Sequence, residues 1–154
     1  MEQKTKIHAE EGKQELVITR DFDLPLELLF KAYEDADIVE QWMGTKVLKL
    51  ENKKHGSWRY ETSYDGNVVF SANGVILEFV SNEKITRTFE MENSAFPIQL
   101  EFFEFTSLSE NSSRVTMQIV FKSVSFRDEL LKMPFAYGLN MAHDRLQEIV
   151  TRLK

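Results

Sequence analysis

The chain contains no cysteine among its 154 residues. That excludes disulfide bridges, thiolate nucleophiles and cysteine-based zinc sites, and it agrees with a reducing compartment. Only 3 prolines and 6 glycines are present, too few for a low-complexity chain. No apolar run approaches the roughly 20 residues that a membrane-spanning helix needs, and residues 1–12 are polar, without the apolar stretch of a secretory signal. No Lys/Arg run is long enough to track a phosphate backbone, and 19 basic against 25 acidic residues leave a formal charge of -6, which argues against a nucleic-acid partner. The three histidines, His8, His55 and His143, have no carboxylate or second histidine at a metal-ligand spacing. Nucleophile elbows, phosphate-cradling glycine loops and paired-carboxylate signatures are missing as well. These absences lead us to expect a cytoplasmic protein with no membrane span, metal, cofactor or defined catalysis.

What is present is a pattern of alternation. The length suits one domain over residues 1–154, with residues 1–12 expected to be loosely ordered. Leu16, Ile18 and Phe22 alternate with polar residues over 13–23, which predicts a half-buried strand, and Arg20 shares their parity. Asp23 and Pro25 open a short helix carrying Leu26, Leu29, Phe30 and Tyr33, and a second short helix follows from Asp35 to about Trp42, closed by Gly44. Strands then succeed one another through residue 121. Asp65-Gly66 marks a tight hairpin, because a type I′ turn needs positive φ at both central residues. After it Val68, Phe70 and Ala72 share one parity but Val75, Leu77 and Phe79 the other, which predicts a bulge at Asn73-Gly74.

In the next strand Arg87 lies on the apolar parity with Ile85, Phe89 and Met91. Ile98, Leu100, Phe102 and Glu104 share a parity in the one after, and Val115, Met117, Ile119 and Phe121 give the cleanest alternation in the chain. Ser125 with Asp128 resembles a capping box. Pro134 is expected to open a long final helix bearing Phe135, Leu139, Ala142, Leu146, Ile149 and Leu153 at helical spacing. The expected class is therefore α+β: a curved antiparallel sheet of about six to seven strands, with the final helix covering its apolar face.

Several stretches stand in a particular order and spacing: Ile18-Thr19-Arg20-Asp21-Phe22 with Pro25, Phe30-Lys31-Ala32-Tyr33, Gln41-Trp42-Met43-Gly44, Gly56 before Trp58-Arg59-Tyr60, Gly74-Val75, and Glu83 through Phe89. Together they resemble the START-like (SRPBCC) helix-grip superfamily, and within it the homologues of the activator of the heat-shock-protein-ninety ATPase. The resemblance covers nearly the whole chain and implies the fold. One departure stands in the final helix, where many relatives carry Gly-Trp and this chain has Gly138-Leu139.

A curved sheet around a helix leaves room for a cavity. Candidate lining residues are Trp58, Tyr60, Phe70, Phe89, Phe102, Met117, Ile119 and Phe121 from strands, and Phe135, Leu139 and Met141 from the helix. The plainer reading is that the same residues simply fill the core, since burying aromatic side chains is the ordinary way a domain of this size is stabilised. Arg87 and Arg20 on the inward parity must be paired or solvated; Glu104 is the expected partner of Arg87, and the alternative is that Arg87, or after it Arg20, meets the acidic end of a ligand. His143 is expected at the surface or its boundary. Three functions follow: a non-enzymatic binder of a small apolar or amphipathic molecule; a cavity enzyme of cyclase, aromatase or hydrolase type using Tyr60, Arg87 and Glu104; or an interaction module like the co-chaperone relatives.

Overall fold

The computed structural model describes residues 4–153. The chain runs β1 (Lys6–His8), β2 (Glu15–Phe22), α1 (Leu26–Glu34), α2 (Ala36–Met43), β3 (Lys46–Leu50), β4 (Ser57–Tyr64), β5 (Asn67–Val80), β6 (Lys84–Met91), β7 (Gln99–Ser109), β8 (Ser112–Val120), α3 (Val124–Leu131) and α4 (Phe135–Thr151). The strands make one antiparallel sheet of eight, in the order β1-β2-β8-β7-β6-β5-β4-β3. This is the expected helix-grip arrangement with β1 and α3 added. The three residues of β1, too short to show alternation, pair with Val17–Thr19 of β2. Of the segment 1–12 expected to be loosely ordered, residues 1–3 lie outside the described residues. Among the described residues no helix is long and apolar enough to cross a membrane.

Local chemistry explains most boundaries. Pro25 stands at the N-cap of α1 with φ -59°, and the helix buries Leu29, Phe30 and Ala32. Asp35 ends α1 and caps α2, its carboxylate accepting from the backbone N–H groups of Asp37 and Ile38. Trp42 on α2 donates its indole N–H to the Ala32 carbonyl at 2.7 Å, which locks the two short helices together. The hairpin at Asp65-Gly66 has φ of 52° and 79°, as its turn type demands. Pro134 is the N-cap of α4.

Four expectations need correction. The parity change in β5 falls at Leu77, where the register against β6 slips between Ile76 and Glu78. Phe70, Ala72 and Ile76 therefore face inward, while Val75 and Leu77 are exposed. Gly74 serves another purpose: a Cβ there would lie 2.0 Å from the Thr88 carbonyl oxygen and 2.6 Å from the Trp58 indole nitrogen. The inward set of β7 is Gln99, Glu101, Phe103 and Phe105, one residue out of step with the expected set, so Glu104 is exposed and Phe102 lies off the inner face. A slip of one residue exchanges the two faces of a strand. The cap preceding α3 is Ser123, whose hydroxyl accepts from the Phe126 N–H, and not Ser125. Leu153 lies past the end of α4 and is exposed, its place in the core taken by Val150.

The inner face of the sheet packs against α1, α2, α3 and α4 through three groups of buried apolar residues, bridged by the half-buried Phe79, which packs on the first and second, and Met117, which packs on the first and third. One joins Phe22, Phe30, Trp42, Phe103, Phe105 and Val115 to Leu146 and Val150 of α4. A second gathers Val39, Trp58, Tyr60, Ala72 and Ile76. The third holds Leu16, Ile18, Ile119 and Phe121 against Leu130, Phe135 and Leu139. Through those two bridges the core is contiguous, as is usual for a domain of this size, and all three groups border one cavity.

Candidate functional site

A cavity of about 310 Å³ lies between the sheet and the N-terminal half of α4, at the lower end of the size range for small-molecule sites. Each apolar cluster supplies part of its wall. Tyr33, Trp42, Phe103 and Ala142 come from the first, Val39, Tyr60, Phe70 and Phe89 from the second, and Ile119, Leu130, Phe135 and Leu139 from the third. Phe96 and Pro97, in the connection between β6 and β7, with Met43, Met91 and Met117, complete the apolar lining.

The polar groups of the wall are few and concentrated on the sheet. Arg87 on β6 and Glu101 on β7 are direct cross-strand partners, with Nε donating to Oε1 at 2.9 Å. They occupy the middle of one row across the sheet, Leu16–Ile119–Glu101–Arg87–Ile76, whose other members are fully buried aliphatic residues. The guanidinium carbon lies 4.3 Å from the Trp58 ring centroid, 4.9 Å from that of Phe103 and 5.9 Å from that of Tyr60. Such stacking favours a desolvated cation by about 0.5–2 kcal/mol per ring. Burial opposes the charge on Arg87, but Glu101 and then Tyr60 outweigh it and hold the guanidinium pKa above its usual value. Glu101 also accepts from the Gln99 amide at 3.2 Å through its second oxygen. Burial pushes the Tyr33 hydroxyl well above the ordinary phenol range, so it stays protonated.

The second inward arginine does a different job. Arg20 is buried away from the cavity wall, donating to Asp144 Oδ1 at 2.8 Å, to Thr5 Oγ1 at 3.1 Å and to Asn140 Oδ1 at 3.4 Å. Thr5 Oγ1 in turn meets His143 Nδ1 at 2.8 Å. This network fastens the residue before β1 and the inner strand β2 onto α4. His143, expected near the surface, is only 3% exposed and lines the cavity, edge-on to Phe22. Burial, and to a lesser degree the nearby Arg20, lowers its pKa to about 4. The ring is neutral at pH 7.

Of the residues expected to line a cavity, Tyr60, Phe70, Arg87, Phe89, Met117, Ile119, Phe135 and Leu139 do so. Trp58 lies beneath Arg87 as its stacking partner, and Phe121 is buried in the third cluster. Phe102 and Glu104 are displaced by the β7 register, and Met141 is 42% exposed on α4. Glu101, not Glu104, is therefore the partner of Arg87. The enzyme reading loses one of its three polar groups by the same correction. Sequence reasoning missed Tyr33, Trp42, Gln99, Glu101, Phe103 and His143 as wall residues. Tyr33 and Trp42 were visible on their helical stripes, but nothing local to Glu101 says that it faces inward. Among the described residues no three His, Asp or Glu side chains converge on a point where a metal ion could sit.

The fold recurs in solved structures of low sequence identity. A protein from Mycobacterium smegmatis, Ms6760, superposes with a TM-score of 0.83 at 18% identity, over 94% of this chain and 95% of that one. A Rhodobacter sphaeroides protein gives 0.85 at 15% identity, over 96% and 99%. A Staphylococcus epidermidis protein gives 0.80 at 19%, over 97% and 95%. Among curated proteins none matches the sequence. The family model described as "Activator of Hsp90 ATPase homolog 1-like protein" matches residues 23–151, from the entry to α1 through the end of α4. The chain thus belongs to the family of activator of Hsp90 ATPase homolog 1-like proteins, built on the START-like helix-grip fold.

Proposed function

We propose that this protein is a non-enzymatic binder that encloses one small, mostly apolar molecule between its sheet and α4. The observation that carries this reading is the space the core leaves unfilled: side chains from all three apolar clusters line one cavity of about 310 Å³. Leaving apolar side chains without packing partners costs stability in proportion to the empty volume, and a guest would restore those contacts. The wall chemistry suits such a guest, being mostly aromatic and aliphatic, with its charged pair Arg87–Glu101 on the sheet beside Tyr60 and Gln99, and with His143 and the Tyr33 hydroxyl as its other polar groups.

Native mass spectrometry of the protein purified without denaturation from its own cells tests this, with solvent extraction of whatever is released. The expected result is a stoichiometric apolar ligand whose retention drops on Leu139→Trp, a change that fills the cavity. A protein that is empty in every preparation, and takes up no apolar compound when offered one, would overturn the reading. The family description supports a second reading, an interaction module, and the exposed Tyr64, Val68 and Val69 beside the β4–β5 turn are the feature that favours it. Fold membership alone decides neither.

A further inference from the structure

The polar end of the cavity specifies what kind of molecule fits it. Arg87 is the cationic side chain in the wall and Glu101 the carboxylate, and they lie 2.9 Å apart as a hydrogen-bonded pair. Glu101 is almost fully buried, 4% exposed at its side chain, so it cannot swing into solvent to make room for a competing anion. A ligand carboxylate placed on Arg87 would bring a second negative charge against Glu101 in a desolvated site, where like charges repel most strongly. The wall would gain one unit of uncompensated charge. A ligand cation meets the mirror problem at Arg87.

A neutral acceptor meets neither. Guanidinium has five N–H donors, and Glu101 takes the one at Nε. Stacking on Trp58 and Phe103 holds the plane of the remaining fork in place. The Tyr60 hydroxyl stands beside that fork and adds a polar atom of either sense. The rest of the polar wall is uncharged: Gln99, Tyr33 and a neutral His143.

We propose that the cavity selects an uncharged guest, a mostly apolar molecule bearing one neutral hydrogen-bond acceptor, a carbonyl or hydroxyl oxygen, seated against the Arg87–Glu101 pair. This rests on the cavity being a binding site. It replaces the simpler idea that a lone inward arginine marks an acidic ligand, since the arginine is not alone.

Matched pairs of probes that differ only in charge provide the test: naphthamide against naphthoate, and a set of primary alcohols against the carboxylates of equal chain length. Affinities are measured by calorimetric titration at neutral pH on the wild type and on Glu101→Gln. In the wild type the neutral member of the pairs should bind at least about tenfold more tightly. In Glu101→Gln, which removes the wall's negative charge, that preference should shrink or invert. A wild type that favours the carboxylates, or does not discriminate, overturns the uncharged-guest inference while leaving the cavity as a binding site. Failure of every probe in both series overturns the binding reading itself. Should Glu101→Gln prove too unstable to titrate, the wild-type comparison decides alone.

Discussion

Arg87 and Glu101 face each other across β6 and β7 with Nε and Oε1 2.9 Å apart, both side chains on the inner face of the sheet and both largely buried. Neither charge is tolerable there by itself. Breaking a buried ion pair by removing one partner strands the other, whereas replacing both by apolar groups of similar volume is often neutral or stabilising. Arg87→Met should therefore cost about 3–5 kcal/mol in urea unfolding, and the double change Arg87→Met with Glu101→Leu should recover most of that loss. Equal losses in the single and double variants would mean that the stacking on Trp58 and Phe103, not the charge pairing, is what the arginine contributes.

Gly74 marks a place where two strands and an indole come together. A methyl group there would overlap a backbone carbonyl, which cannot rotate away, as well as the Trp58 ring. Gly74→Ala should destabilise the protein by about 1–3 kcal/mol, the usual scale for overpacking a filled site. It should also shift the emission of Trp58, whose indole N–H donates to the Thr88 carbonyl at 3.1 Å. Unchanged stability and emission would show that β5 can move away from β6 at this point.

The secondary structure was largely legible, and the reasons are local. Asp35, Gly44, Asp65-Gly66 and Pro134 each set a boundary through their own backbone chemistry, and along β8 and the residue after it Val115, Ile119 and Phe121 are buried while Arg114, Thr116, Gln118 and Val120 between them are half-buried. The site was legible only in part. In β7 the sequence offers Leu100 and Phe102 on one parity, Phe103 and Phe105 on the other, so apolar content alone does not choose a face. The true inner face carries Gln99 and Glu101, polar residues that serve the cavity and so break the pattern by which an inner face is recognised. The burial of His143 is not legible for a different reason: its partner Thr5 is 138 residues away in sequence, and no helical spacing reports a contact of that separation. The bulge lies at Leu77 and not at Asn73-Gly74, because Gly74, which resembles a bulge residue in sequence, is instead a point of close approach.

His143 gives the fold a pH dependence of definite sign. Its pKa is about 4 in the folded chain against an ordinary 6.5, so between those values the unfolded state binds the proton that the native state refuses. Stability should be full above about pH 7, decline as pH falls through 6.5, and stop declining on this account near 4. By about pH 5 the loss attributable to this residue should reach about 2 kcal/mol. Urea unfolding of the wild type and His143→Asn at about pH 7.5 and 5 should show the smaller difference in the variant, which keeps a polar atom near Thr5 but cannot titrate. Equal pH sensitivity in the two proteins would place the dependence elsewhere.

Whether the space between the three clusters receives a guest is answered most directly by a heteronuclear NMR chemical-shift map of the protein titrated with naphthamide, run beside Leu139→Trp. The expected outcome is a set of shifted resonances confined to cavity residues, with Tyr60, Arg87, Gln99 and Leu139 among them, and loss of those shifts in the folded variant. Shifts on exposed residues such as Val68, Val75 and Ile98, or a wild-type pattern that persists unchanged once position 139 carries an indole, would contradict an internal binding site.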